Sequence, residues 1–330
     1  MKIIEIKKTD TTKTIRLFGV RLYYRENTRR NPMATDMEQV GSHMRELDIL
    51  KSMIGKQVLE TRKLSPPTTI QDAELKVYSQ WGDDGIIQWM ISRIPSPNRT
   101  FVEFGVENYM ESNTRFLLIN NNWSGLVIDG SSAHVESIRN SYYYWRHDLT
   151  AISAFIDKDN INSLIKSRFT GEIGILSVDL DGNDYWILDE INCINPQIII
   201  CEINAVLGGE QAVTIPYDPK FEYRKAHESG LYFGASLKAM ELLLKGKGYS
   251  LVGINSNAVN AFFIRNDLAG FFDATTTEQC FVYPKFSSIK DGSDESVTIR
   301  ENTRKLHLIR DKILVDITTN KAAPISELFI

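Results

Sequence analysis

An α/β protein on a mostly parallel sheet is the fold this sequence predicts, and three observations predict it. Four short apolar runs, Thr100-Phe-Val-Glu-Phe104, Gly125-Leu-Val-Ile-Asp129, Ile173-Gly-Ile-Leu-Ser-Val-Asp179 and Gln197-Ile-Ile-Ile-Cys-Glu-Ile203, are separated by stretches of helical character. Runs that are apolar on both faces suit strands covered by helices on either side, the setting of parallel sheets. The last two strand-like runs, Tyr249–Ile254 and Ala261–Arg265, follow each other with no helix between them, so they pair antiparallel.

The elements follow in order. Thr14 to Tyr24 alternates like a hairpin or arm, and Arg25 to Pro32 is a polar linker. Met37, Val40, Met44, Leu47, Leu50, Met53 and Ile54 recur at helical spacing, which places a helix over Thr35 to Glu60. Leu64-Ser-Pro-Pro-Thr-Thr is a second linker. Asp83 or Asp84 caps a helix that runs to Ile94. After the strand at 100–106 come a helix from Ser112, a strand at 125–129, a helix from Ser131 to Ser141, a weak strand near 144–149 and a helix over 157–168. The strand ending at Asp179 is followed by a helix from Asp184 to Ile191, and the strand ending at Ile203 by a long loop to about Ser229. An amphipathic helix from Ala235 to Lys247 precedes the terminal hairpin. Five βα units plus a hairpin give a seven-stranded, mostly parallel sheet with an antiparallel last strand and helices on both faces, the Rossmann-like methyltransferase pattern. The expected organisation is an N-terminal arm, helix and linker over 1–74, the sheet domain over 75–268, and a C-terminal appendage over 269–330 that carries an extra strand pair and a docking tail.

Bulk properties narrow the function. The chain has 330 residues, 42% of them hydrophobic and 24% charged, with a net charge of -4. A dedicated nucleic-acid binder shows a basic surface, which this balance does not suggest. No apolar run approaches the roughly 20 residues that span a bilayer. The opening Met1-Lys-Ile-Ile-Glu-Ile-Lys-Lys8 is too polar for a signal peptide. Cys193, Cys201 and Cys280 lack metal-ligand spacing and read as free thiols in a reducing compartment, so cytoplasm is the expected location.

The chemistry is expected where strands end, because open α/β sheets bind ligands outside the carboxyl ends of their strands. Glu103 and Gly105 close the first strand. There Gly105 would let backbone approach a ligand and Glu103 would accept from a ligand ammonium. Asp129 closes the next strand, placed to accept two ribose hydroxyls. A dinucleotide site calls for G-x-G-x-x-G with a pyrophosphate at the helix N-terminus. Val106 to Ser112 holds no further glycine. A cofactor with ribose and amino acid but no phosphate, S-adenosylmethionine, therefore fits better than NAD. Asp148, after the weak third strand, is placed to read the adenine amino group.

A second cluster is Asp179-Leu-Asp181-Gly-Asn-Asp184. Carboxylates gathered at one strand end repel unless a cation or a proton compensates. With Glu202 and Asn204 closing the neighbouring strand, Asp181, Glu202 and Asn204 form a candidate oxygen-ligand set for Mg2+. The alternative is that these side chains cap the helix from Asp184. His227, in the long loop, is the candidate general base, alongside Asp179 and Asp181. Tyr185, Trp186, Tyr217 and Tyr232 are expected to stack on the acceptor.

Taken in order, Ser79-Gln-Trp-Gly-Asp-Asp84, Phe101-Val-Glu-Phe-Gly-Val106, Leu126-Val-Ile-Asp129, Ser177-Val-Asp-Leu-Asp-Gly182 and Asn260-Ala-Phe-Phe-Ile-Arg265 resemble the successive motifs of FkbM-type S-adenosylmethionine-dependent methyltransferases. The resemblance covers roughly residues 75 to 268. It implies O-methyl transfer to a hydroxyl of a sugar or another small polar acceptor, in polysaccharide or secondary-metabolite synthesis. It also implies that Glu103, Gly105 and Asp129 hold the cofactor, with Gln80 and Asp84 near it. The family pattern Asp-x-Glu-Gly is here Asp179-Leu-Asp-Gly182, with a shorter carboxylate. Expected partners are a small-molecule or glycan acceptor, with a homo-oligomer allowed and no nucleic acid. Two other classes stay open: a metal-dependent glycosyltransferase that uses Asp179 and Asp181, and a non-catalytic Rossmann-like scaffold.

Overall fold

The computed structural model describes residues 4–8, 12–17, 20–25, 32–273, 275–283 and 299–329. It divides into two units, residues 1–51 and 52–330. In the first, β1 (Ile4–Lys8), β2 (Thr12–Leu17) and β3 (Val20–Arg25) form an antiparallel three-stranded sheet. Helix α1 (Pro32–Arg62) begins there and contains the predicted helical span. Among the described residues, no helix is long and apolar enough to cross a membrane.

The second unit holds the sheet that the apolar runs predict. Its elements are α2 (Asp83–Arg93), β4 (Thr100–Phe104), α3 (Arg115–Asn121), β5 (Ser124–Asp129), α4 (Ser132–Arg139), β6 (Leu149–Ser153), α5 (Ile161–Lys166), β7 (Gly171–Val178), α6 (Asp184–Glu190) and β8 (Ile194–Glu202). An insert follows, with β9 (Val213–Thr214) and the short α7 (Tyr223–Ala226). Then come α8 (Leu237–Gly246), β10 (Tyr249–Ile254), β11 (Asn260–Arg265), α9 (Thr277–Cys280), α10 (Ile299–Leu308), β12 (Ile313–Asp316), β13 (Lys321–Pro324) and α11 (Ile325–Phe329). The main sheet has seven strands in the order β10-β11-β8-β7-β4-β5-β6. The pairs from β8 through β6 are parallel, and β11 lies antiparallel between β8 and β10. This is the Rossmann-like methyltransferase sheet, with strand order reversing on either side of β4. One strand boundary differs from expectation. The third strand is Leu149–Ser153, whereas residues 142–148 form turns, so Asp148 precedes the strand instead of closing it.

Side-chain alternation explains the two layers. On β4, Val102 and Phe104 join one buried cluster while Phe101 joins the other. Helix α8 presents Leu237, Met240 and Leu244 to the first cluster, and α2 presents Ile86, Ile87 and Met90 to the second. The C-terminal segment is built into the same unit. Its strand β12 pairs with β9 and β13, and Leu306, Ile309, Leu314 and Ile325 form a third core with Val206, Val213, Ile215 and Leu231. Cys193, Cys201 and Cys280 are free thiols.

Candidate active site

The loop after β4 is organised by Glu103. Its side chain is buried, with Oε1 accepting the Asn113 N–H at 2.8 Å and Oε2 accepting the Ser112 hydroxyl at 2.7 Å. Oε2 also takes the Thr114 N–H at 3.2 Å and the Thr114 hydroxyl. Burial pushes this carboxyl above its ordinary range against the pull of those donors. The carboxylate thus closes a ring with its own loop instead of waiting bare for a ligand. Gly105 sits at φ +67°, and a Cβ there would lie 1.7 Å from the Asp179 carbonyl oxygen. The close approach that requires glycine is that of the neighbouring strand end. Beyond it, Glu107 and Tyr109 hold φ of 46° and 63°, uncommon for residues with side chains.

The second wall comes from β7 and β8. Their register pairs Val178 with Cys201, so the next residues, Asp179 and Glu202, close adjacent parallel strands. Asp184 folds back from α6, where Oδ1 accepts the Leu180 N–H at 2.7 Å and Oδ2 the Gly182 N–H at 2.9 Å. Ligand atoms of Asp179, Asp184 and Glu202 lie within 4.8 Å of one another. Burial, reinforced by neighbouring carboxylates, pushes Asp179 and Glu202 well above the usual carboxylate range. Asp184 is raised to about 6, again chiefly by burial. Glu202 Oε2 is buried and meets no donor, and the Asp179 carboxyl lies in hydrogen-bonding reach of Glu202. Burial and the repulsion between neighbouring carboxylates both favour the protonated forms of these acids. Asp181 stands at the mouth with φ +53°. Its carboxyl is raised by desolvation and by Glu107, and lowered by Arg224.

The third wall is the insert with the C-terminal segment. Asn204 is spent on construction. Its Oδ1 accepts the Val206 N–H at 3.1 Å, and its Nδ2 donates to the Leu231 and Phe233 carbonyls at 2.9 Å each. Asn302 of α10 donates to the Val206 carbonyl at 2.9 Å, fixing that helix against the insert. Between the three walls lies a cavity of about 470 Å³, within the size range of small-molecule sites. Glu103, Gly105, Asp179, Asp181, Glu202 and Gln80 all line it.

Asp84 does not line the cavity. Its Oδ2 accepts the N–H groups of Val77, Tyr78 and Ser79 at 2.7–2.8 Å and the Ser79 hydroxyl at 2.8 Å, so it shapes the turn before α2. Asp129 does close β5, but Oδ2 takes the Glu107 N–H at 2.8 Å, and Oδ1 takes the Ser131 N–H at 2.8 Å and meets His134 Nδ1 at 3.2 Å. Asp148 lies at the opposite, amino edge of the sheet, where its carbonyl receives the Gly125 N–H and its carboxylate pairs with Arg168. An adenine bound at the carboxyl edge is out of its reach. His227 lies outside the cavity lining, with Nδ1 turned to the Ser229 hydroxyl at 2.7 Å and the Ser229 N–H at 3.2 Å. Among the described residues the acids whose ligand atoms converge are Asp179, Asp184 and Glu202, while Asn204 Oδ1 accepts the Val206 N–H. Tyr185 and Tyr217 each pack edge to face on Trp186, with the Lys158 ammonium 4.4 Å from the centre of the Trp186 ring. Tyr232 donates to the Ile313 carbonyl at 2.5 Å. The aromatic residues that do line the cavity are Trp81, Phe104, Tyr223 and Phe233, joined by Arg224 and by Lys305 of the C-terminal segment. No sequence signal marks Arg224 or Lys305, because the insert and the tail have no periodicity that fixes their fold.

No family model matches the chain, and no curated protein matches it. Similar solved structures include an O-methyltransferase from Bacillus cereus in complex with SAH, 14% identical, with a TM-score of 0.36, covering 63% of this chain and 88% of that one. A second is an S-adenosylmethionine-dependent methyltransferase from Clostridium acetobutylicum ATCC 824, 12% identical, with a TM-score of 0.36, covering 64% of this chain and 99% of that one. A third is the N-terminal domain of EvdMO1 in the presence of SAH and D-fucose, 10% identical, with a TM-score of 0.35, covering 55% of this chain and 80% of that one. The fold assignment rests on the strand order of the sheet itself.

Proposed function

We propose that the chain is an S-adenosylmethionine-dependent O-methyltransferase acting on a hydroxyl of a small polar, sugar-like acceptor. One observation carries the reading: a cavity at the carboxyl edge of β4, β7 and β8 whose lining brings together the acids Asp179 and Glu202. The donor set fits a cationic cofactor, because carboxylates gathered at adjacent strand ends repel one another and favour a ligand that brings positive charge. When bound, the cofactor supplies an electrophilic methyl group on a sulfonium. Glu103 and Gly105 fix the loop against which its amino-acid end would lie, and Gln80 lines the same cavity. Asp129 Oδ2 accepts a single N–H, from Glu107, and so keeps a lone pair for a ribose hydroxyl.

In this reading the Asp179 and Glu202 pair is the general base. A carboxyl raised toward neutrality is a better proton acceptor for a hydroxyl than an ordinary carboxylate. As the acceptor oxygen bonded to the methyl carbon and the sulfur–methyl bond broke to leave the neutral thioether SAH, the hydroxyl proton would pass to this pair. Asp181, at the mouth, orients the acceptor, and most of the acceleration comes from alignment in a closed cavity.

A divalent cation at Asp179, Asp184 and Glu202 is the second reading, favoured by their 4.8 Å convergence. Calorimetry with S-adenosylhomocysteine (SAH), with and without Mg2+, tests both. The expected result is micromolar or tighter SAH binding that does not need the metal. Binding of a nucleotide sugar only with Mg2+, and no SAH binding, would replace the methyltransferase with a glycosyltransferase.

A further inference from the structure

Helix α1 is turned the wrong way round for a surface helix. Where such a helix meets its own body, the apolar stripe normally faces inward. Here the contact with the rest of the second unit is made by Gly55, where an added Cβ would lie 2.7 Å from Val77 and 3.1 Å from Phe116, and by partly buried Leu59. Leu47, Leu50, Met53 and Ile54 are instead 52–63% exposed. Apolar residues scattered singly over a surface need no explanation, but these lie within about two turns of one helix and form a patch. The patch belongs to a longer pattern. Met33, Met37, Val40, Met44, Leu47, Lys51, Ile54 and Val58 follow one another at alternating steps of four and three residues. That is the a/d repeat of a coiled coil, sustained over nearly all of α1, which has 31 residues and is therefore about 46 Å long. Such a seam is covered by a second helix of similar length. Among the described residues this chain has none to offer, since α2, with 11 residues, is the next longest. The partner helix therefore comes from another molecule. A second copy of α1 fits best, because the two-fold pairing that most homo-oligomers use sets one patch against itself. Lys51 is the one polar residue of the seam. A lone lysine at an a position weakens a coiled coil but fixes its register and its number of strands.

We infer that α1 is a self-association element, and that the chain forms a dimer in which two α1 helices wrap as a two-stranded coiled coil along Met33 to Val58. Leu47 and Ile54 are seam residues, Leu50 flanks the seam, and Met53 lies off it. Pairing removes from water the apolar surface that a single chain leaves exposed at Leu47, Leu50 and Ile54. The interface is independent of the reaction that the cavity carries, since no residue of α1 lines that cavity.

Sedimentation equilibrium on the full chain, from about 1 to 100 μM, tests this. Wild type is expected at the mass of two chains at the upper end, with the single-chain mass appearing on dilution. Leu47→Glu and Ile54→Glu each place a charge in the seam at an exposed position that the fold of one chain tolerates, and each should weaken self-association about a hundredfold or more. Met53→Glu, as exposed as Ile54 but off the seam, should leave the dimer within a few-fold of wild type. Lys51→Leu removes the polar interruption and should tighten the two-chain species about tenfold or more, which a damaged fold would not do. A wild type of single-chain mass at about 100 μM overturns the proposal. So does a Met53→Glu protein that dissociates as readily as Ile54→Glu, since the association would then owe nothing to the seam. If a single-chain wild type instead sediments with vesicles of phosphatidylcholine and phosphatidylserine, lipid covers this face and the coiled coil is refuted.

Discussion

Gly105 is the residue at which backbone geometry and site geometry are the same constraint. Its φ of +67° suits glycine, and any Cβ would stand 1.7 Å from the Asp179 carbonyl oxygen, an atom that cannot move without dragging the end of β7. Gly105→Ala is therefore expected to lose about 3 kcal/mol or more of stability in urea unfolding, beyond the roughly 1 kcal/mol that a left-handed alanine costs by itself. A loss under 1 kcal/mol would mean that the two strand ends are not in contact. The sequence made this position visible for a different reason, as a place for ligand approach. Glu103 was equally visible, and its four hydrogen-bond donors belong to Ser112, Asn113 and Thr114, close behind it in the chain. What a string of letters does not carry is direction: Glu103 turns its oxygens onto its own loop, and Asp129 turns one onto its own loop and the other onto the loop after β4. Asp148 failed for a plainer cause. A strand boundary about four residues too early moved it from one edge of the sheet to the other, and each edge has a different chemistry.

Elements show why the strands were legible and the insert was not. A parallel strand announces itself through an apolar run, and adjacency of β7 and β8 follows from the βα pattern, so the meeting of Asp179 and Glu202 could be expected. Residues 205–235 have no such period, and their fold depends on long-range partners. Ser236 is the clearest of these. It caps α8 by accepting the Ala239 N–H at 3.2 Å, accepts the Val213 N–H at 3.1 Å, and donates to the Gln211 carbonyl at 2.6 Å. One hydroxyl thus starts the helix and fastens β9, the strand on which β12 pairs. Ser236→Ala should cost about 2–3 kcal/mol, more than a solvent-facing cap, because two buried N–H groups and a carbonyl lose their partner together. Hydrogen exchange should show the amides of 211–215 and 237–239 opening faster, while β4, β5 and β7 stay protected. Unchanged exchange at 211–215 would separate the cap from the insert.

At the scale of the whole molecule, burial of acids sets the pH response. Asp83, in the first turn of α2, accepts the side-chain amides of Asn255 and Asn260 at 2.9 and 3.1 Å, which ties that helix to the β10–β11 hairpin. Burial raises its carboxyl to about 6 against those two bonds. For an acid raised in the folded state, the folded protein binds more protons than the unfolded chain between the two pKa values. Stability from this group is therefore full below about pH 4 and falls as pH rises to about 6, by about 3 kcal/mol. The exposed acids with lowered pKa, Asp72, Asp267 and Glu278, act in the opposite sense, and solvent screening makes their share small. Asp83→Asn separates the two. Asparagine keeps one acceptor, so at pH 4 the variant should be less stable than wild type by about 1–2 kcal/mol through the lost second bond. Between pH 4 and 7 the difference should move in favour of the variant by about 3 kcal/mol, because wild type alone has to ionise a buried carboxyl. Urea unfolding of both proteins across that range reads the shift directly. A difference that stays constant with pH would mean that Asp83 is ionised in the folded protein throughout, with the amides of Asn255 and Asn260 outweighing its burial.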